Sequence, residues 1–293
     1  MTASGPAMAP GLADALWRLD ADFDRAAAAE KDPVGIARRF TGAEQVVVAH
    51  LCAMLAYGSV GLIRRAIEAV LDAVDGAPAA FAADMRPGDF VRRAPGFVYR
   101  MTRAEDVDAV FVAMGQARRQ FGSLEAAFVD GVGANDADVR PALERYVATL
   151  RAASGAVERR GVRYLLADPA TGSATKRWHL LLRWLARPDD GADLGCWPRV
   201  STSQLVMPLD THTSFLVRAL GLTDRATVDY RMARQATDAL AAICADDPLR
   251  FDMPLCHLGI ERACMHRYDE AVCGRCGLRG VCRWTAPGGG ASA

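Results

Sequence analysis

The chain has 293 residues, 51% of them hydrophobic, and its 35 Lys and Arg balance 35 Asp and Glu to a formal charge of zero. That length buries a sizeable core in one large or two modest domains, and no apolar run approaches the roughly 18–20 residues of a membrane span. A neutral chain has no global field to attract a polyanion, so any nucleic-acid surface must be local.

The opening stretch, MTASGPAMAPGLADALWRLD, has no basic cluster followed by an uninterrupted apolar run. No secretory signal is expected, and the chain is read as cytoplasmic. The two ends, MTASGPAMAP and TAPGGGASA, are expected to be disordered tails. Between them helical periodicity dominates. GLADALWRLDADFDRAAAAE, GAEQVVVAHLCAMLAYG, VGLIRRAIEAVLDAV, AEDVDAVFVAMGQARRQFG and VRPALERYVATLRAAS each space apolar residues three and four apart. No alternating strand pattern appears, so the expected fold is all-α, with ten or more short helices.

GSATKRWHLLLRWLAR (172–187) follows, with Trp178, Leu181, Leu182 and Leu185 on one helical face and Lys176, His179, Arg183 and Arg187 on the other. Ser173 is the expected N-cap, which places Lys176 in the first turn, beside Arg177 and the positive end of the helix dipole. The chain has only one other lysine, Lys31, against 33 arginines. A surface cation would be served by arginine, whereas only lysine can form a Schiff base. A long connection, 187–208, comes next, and loops of that length are often functional. Asp210 in VMPLDTHTSFLVRALGL is then the N-cap of a helix that includes Phe215, Leu216 and Leu220 and ends at Gly221.

Four of the eight cysteines form Cys264-x8-Cys273-x2-Cys276-x5-Cys282. So close a spacing in an intracellular chain points to a metal site rather than disulfides. A [4Fe–4S] cluster and a structural zinc are both open on these residues; a single Cys-x2-Cys hook flanked by lone cysteines favours the cluster. His266 could replace Cys264 in a zinc site, but the preferred reading is a lone exposed histidine. Cys52, Cys196, Cys244 and Cys256 are read as small buried hydrophobes.

The segment PLDTHTSFLVRALGL, followed by the cysteine loop, resembles the helix-hairpin-helix DNA glycosylase superfamily that includes endonuclease III. The stretches DPVGIARRF, LAYGSVGLIRRAIEAVL and GSATKRWHLLLRWLARPDDGADLGCW resemble a bacterial family of that superfamily whose nearest relatives are archaeal 8-oxoguanine DNA glycosylases. Those share a long interval between catalytic lysine and aspartate, and Lys176 and Asp210 are 34 residues apart. The resemblance implies an endonuclease III-like all-α fold of two helical domains with an interdomain cleft and a C-terminal iron–sulfur loop. One domain would be 1–35 with 206–293, the other 36–205. It also implies a base-excision repair glycosylase with an AP-lyase step that flips and excises a damaged, oxidised base, Lys176 and Asp210 being catalytic and facing each other across the domains.

Cys264, Cys273, Cys276 and Cys282 would hold the [4Fe–4S] cluster, zinc being the alternative. Tyr57, Gly58, Trp197, His212 and Arg183 are the expected base-pocket or DNA contacts, and Arg275, Arg279 and Arg283 would meet phosphates. The partner would be duplex DNA with a damaged base, bound by a monomer with no membrane association. Two departures stand out: DPATGSATK replaces an L-P-G-V-G hairpin, and Phe215 stands where the superfamily has arginine. They favour an alternative, a non-catalytic iron–sulfur protein that binds DNA structures on the same scaffold. A redox-responsive iron–sulfur protein that does not bind DNA is a third reading.

Overall fold

A computed structural model describes residues 8–133, 136–261 and 263–284, so most of the two expected tails lies outside the described residues. Among the described residues the fold is all-α, with sixteen α-helices and one two-stranded antiparallel hairpin, Val98–Tyr99 with Thr102–Arg103. The hairpin departs from the strand-free expectation because two-residue strands are too short to show a period. No helix among the described residues is long and apolar enough to cross a membrane.

The chain divides into two compact units, one of Met1–Arg25, Gly172–His179 and Leu205–Ala293, the other of Ala26–Thr171 and Leu180–Gln204. Residues 26–35 therefore fall in the second unit and Gly172–His179 in the first, a different partition from the expected one. Two backbone ties explain the placement of the Lys176 segment. Tyr230 N–H donates to Gly172 O at 3.0 Å, and Ser173 bridges to Asp229. The first expected helix also breaks in two, Leu12–Ala21 and Arg25–Lys31. The acidic DADFD stretch between them supplies Asp20, which is buried and ion-paired to Arg25 and, at 2.7 Å, to Arg250.

The second unit is built on helix Gly42–Met54, whose residues Val47 to Met54 are all buried. A helix apolar on every side belongs in a core. His50 lies in this core, its Nε2 2.7 Å from Tyr146 Oη and its Nδ1 2.7 Å from Val46 O. Trp197 packs beside them against His50, Phe128 and Tyr146, with ring centroids 5.4–6.2 Å apart, and is 1% exposed. The expected base-stacking role for Trp197 is thereby corrected, because its ring is consumed by the core.

Helix Lys176–Ala186 gives its first turn to the first unit and the rest to the second. Its polar face is not solvated. Arg183 and Arg187 are both buried and share Asp193, Arg183 Nε at 3.2 Å, while Arg187 also reaches Asp190 at 3.0 Å. Burial pushes the Asp193 carboxyl above its ordinary value, against the pull of the two guanidiniums. Arg38 adds bonds to Asp189 at 2.9 Å and to Asp193 O at 2.8 Å, and Leu194 and Trp197 N–H groups donate back to Trp184 O and Leu185 O. The long connection is thus a strap pinned onto the helix. Arg183 is not available to DNA, since withdrawing it would leave Asp193 and Arg187 imperfectly paired in the interior.

Burial lowers the His50 pKa from 6.5 to about 4, so the ring is neutral in the folded chain at pH 7. The unfolded chain binds a proton between those values and the folded chain does not, so stability is present above pH 6.5 and lost as pH falls toward 4. At about 1.4 kcal/mol per unit this is a loss of ~3 kcal/mol. Urea unfolding at pH 7 and pH 4 should show it in the wild type and show less of it in His50→Gln.

A carboxylate, an amine and four thiols

Lys176 is the first residue of its helix and so lies in the first turn, as expected, but Ser173 stands too early to cap it. The carbonyl of Thr175 accepts from Trp178 N at 3.0 Å and His179 N at 3.4 Å, which makes Thr175 the capping position. Thr175 has φ +36 and is 8% exposed. A β-branched residue in that left-handed region is strained, and such strain persists only where the surroundings over-determine it.

Asp210 precedes helix Thr211–Ala219 and divides its two oxygens between two tasks. Oδ1 accepts from His212 N at 2.8 Å and Thr213 N at 2.9 Å, while Thr213 Oγ1 accepts from Asp210 N at 2.7 Å in a reciprocal capping box. Oδ2 faces Lys176 Nζ at 3.2 Å and Cys256 Sγ at 3.9 Å. The cap and the ion pair are therefore compatible. Burial alone would raise the Asp210 pKa, but the Lys176 charge, the Thr213 N–H and the Lys176 and Thr213 side-chain bonds outweigh it and hold it below the ordinary value. Lys176 keeps 31% of its side-chain surface exposed and Asp210 23%, so the pair is reachable from solvent. Both residues belong to the first unit, which corrects the expectation that two facing domains bring them together.

Around this pair stand residues that pattern reasoning assigned elsewhere. Cys256 is half-buried beside the carboxylate rather than a core hydrophobe. His212 Nδ1 lies 3.0 Å from His266 Nε2, so His266 is not a lone exposed histidine. Gly259 makes the arrangement possible, because a β-carbon there would meet His212 Cγ at 2.5 Å. Phe215 stacks on His266 with centroids 4.6 Å apart and leans on Trp284 at 5.4 Å. An arginine in its place could not fill that apolar sandwich.

Phe215 and Trp284 also wall a small apolar pocket whose lining includes Cys264, Cys273, Cys276 and Cys282. Burial raises the Cys264 and Cys282 thiols above their ordinary value, and the neighbouring thiols raise them further, a sign of how near the four lie. Among the described residues no three His, Cys, Asp or Glu side chains are gathered into a ready-made metal site. Arg283 and Arg279 are ion-paired at 3.0 Å to Asp224 and 3.2 Å to Glu270, and Arg275 bonds Ala271 O, so these side chains already have partners within the protein.

Tyr57 and Gly58 lie in the second unit. The Tyr57 ring packs against Tyr99 and Tyr164 at 4.8 and 4.9 Å, and its hydroxyl bonds Thr102 Oγ1 at 2.7 Å and donates to Tyr99 O at 3.0 Å. Gly58 has φ +108, and a β-carbon there would press on Tyr99 Oη and the Arg100 guanidinium. Both residues serve the hairpin at 98–103.

The family model described as "Protein of unknown function (DUF2400)" matches residues 32–261, more than half of the chain. The chain belongs to the DUF2400 family. Lys176, Asp210 and Cys256 lie within the matched residues of this DUF2400 chain, and the four pocket cysteines follow them. No curated protein and no solved structure matches it.

The two tasks of Asp210 separate by mutation. Asparagine caps helices as well as aspartate does, so Asp210→Asn should cost well under the roughly 1 kcal/mol or more of Asp210→Ala from lost capping. Its remaining cost is the ion pair. Because the native Asp210 pKa is lowered, that contribution is present above about pH 4 and is lost as pH falls through the native value. Urea unfolding should therefore show the gap between wild type and Asp210→Asn closing between pH 7 and pH 3.

Proposed function

We propose that this chain is a DNA base-excision repair glycosylase with an associated lyase step, acting on a damaged, oxidised base flipped from duplex DNA. The observation that carries the reading is the solvent-reachable Lys176–Asp210 pair, with Nζ 3.2 Å from Oδ2 at the start of two helices. Its support is the agreement of that geometry with what the superfamily resemblance implies for the same two residues.

Each group has a defined task. Lys176, once its proton has left, attacks C1′ of the extruded nucleotide as the N-glycosidic bond breaks and the base departs with the bonding electrons. The attacking nitrogen then sheds a proton, with Asp210 Oδ2 the nearest acceptor. Opening of the C1′–O4′ bond turns the adduct into a Schiff base, which permits β-elimination of the 3′ phosphate. Asp210 enters the reaction ionised because its pKa is held low, so its charge stabilises the positive sugar in the transition state before it takes up the proton. The strained Thr175 fixes the turn that presents the amine.

Cys264, Cys273, Cys276 and Cys282 would hold a [4Fe–4S] cluster, with zinc the alternative, and four thiols walling one pocket fit such a group. When bound it supplies order to the 264–282 loop, which carries His266 against His212. The Phe215 stack favours the second reading, a non-catalytic DNA-structure binder, only in that it removes a cation from the vicinity of the aspartate.

Single-lesion duplexes decide between the two. Wild-type protein should release base from at least one oxidised-base duplex, and Asp210→Asn should lower the single-turnover rate by about a thousandfold or more, as expected for loss of a transition-state charge. Binding without base release on every substrate would assign the scaffold to structure recognition. Anaerobically purified protein should be brown, with iron and sulfide; a colourless zinc-containing preparation would replace the cluster.

A further inference from the structure

Cys256 is a third reactive side chain at the Lys176–Asp210 pair, and neither base release nor strand cleavage makes use of it. Its helix, Asp252–Ile260, packs against helix Thr211–Ala219, and Gly259, one turn on, lies under His212. That packing directs the half-buried thiol at the carboxylate, with Sγ 3.9 Å from Oδ2. Lys176, Asp210 and Cys256 all belong to the first unit, so one compact body holds the three groups. Cys52 and Cys196 lie in the second unit, and Cys264, Cys273, Cys276 and Cys282 wall their own pocket.

The chemistry that meets this thiol follows from the lyase step. β-Elimination leaves the sugar on Lys176 as a conjugated iminium, N=C1′–C2′=C3′, whose C3′ is electrophilic. Of the side chains at the site, a thiol is the one suited to add to such a carbon. Nζ and Sγ both neighbour Oδ2, Nζ at 3.2 Å, so the gap from nitrogen to sulfur is at most the sum of the two separations. The planar N–C1′–C2′–C3′ unit spans roughly 3.8 Å, as the Cα-to-Cα unit of a trans peptide does. Laid along that gap, it leaves at most a near-attack separation of roughly 3–3.5 Å between Sγ and C3′.

We propose that Cys256 captures the unsaturated sugar end left by β-elimination, as a thioether at C3′. The inference rests on the glycosylase and lyase reading and deepens it by adding a second covalent site for the same substrate. The Sγ–C3′ bond forms as the S–H bond breaks, and the thiol proton passes to Asp210 Oδ2. Asp210 is by then a carboxylate again, its earlier proton having gone to O4′ as the ring opened. The C2′=C3′ electron pair moves to C1′–C2′ and gives an enamine, which takes the proton back at C2′. Water then hydrolyses the iminium, freeing Lys176 and leaving C1′ as an aldehyde. The net change is addition of S–H across one double bond, with nothing oxidised or reduced. Its consequence is retention: the cleaved strand end stays on the protein, shielded from bystander amines and thiols, until the addition reverses.

The test uses the full chain, purified anaerobically and free of added thiol, with a duplex carrying one natural abasic site. In one sample borohydride is present throughout. In a second it is added only after denaturation, when reduction of the C1′ aldehyde blocks reversal of the thioether. Both are digested with protease and nuclease and mapped by mass spectrometry. The first should carry the sugar on Lys176, and the second on Cys256. Cys256→Ser should lower the thioether, relative to the Lys176 adduct of the same protein, by about tenfold or more, a hydroxyl being the weaker nucleophile. A Lys176 adduct with no sugar on Cys256, or with sugar spread equally over the other cysteines, would overturn the capture alone. Absence of any Lys176 adduct would overturn the lyase step and the capture with it. The two wild-type maps decide the matter even where the serine variant fails to fold.

Discussion

The carboxylate of Asp210 is the point on which the site depends. One oxygen completes a helix N-terminus and the other meets an amine, so the geometry that caps the helix also sets the ion pair. A side chain with a single acceptor would satisfy one task only. Because the cap restrains the carboxylate through two backbone N–H bonds, Oδ2 needs no further ordering before it meets Lys176. The cost of holding a partly buried carboxylate ionised is offset by the adjacent ammonium and the cap donors.

From that point the first unit is organised outward along helix Thr211–Ala219. His212 packs over Gly259 and meets His266, and Phe215, one turn further, stacks on the same ring and walls the four-thiol pocket. The cysteine loop and the Lys–Asp pair are therefore joined by direct contacts rather than merely sharing a chain. Ordering of the loop by a bound cluster would be felt at His212, two residues from the capping aspartate. The strap that follows the Lys176 helix is fixed by different means, an ionic network of Arg38, Arg183, Arg187 and Asp193 with little exposure.

Much of this was legible in sequence, but unevenly. Helix positions followed from apolar spacing, since a half-buried helix writes its period plainly, and the all-α class followed from them. Lys176 stood out through scarcity and Asp210 through its capping position, both of which are local signals. What failed was the inference from polarity to exposure. His179, Arg183 and Arg187 lie on a polar helical face, yet all three are buried, Arg183 and Arg187 against Asp190 and Asp193 of the strap that follows the helix. Trp197 differs from expectation for a related reason: an aromatic on a long loop has the pattern of an available ring, but this loop is strapped onto the helix and the ring is 1% exposed. The hairpin left no period, and Cys256 reaches Asp210 only through folding, 46 residues away. The division into units differs from the expected one at the Lys176 turn, where two backbone ties at Gly172 and Ser173, which side-chain patterns do not report, join it to residues 229 and 230.

The central claim is that Lys176 is a nucleophile aimed by Asp210, and borohydride trapping followed by peptide mapping measures it most directly. Incubating the protein with duplexes carrying abasic or oxidised sites under borohydride should yield a covalent protein–DNA species. Proteolysis should place the modified residue at Lys176, one of only two lysines in the chain. No adduct on any substrate, or an adduct that persists unchanged in Lys176→Gln, would contradict the account.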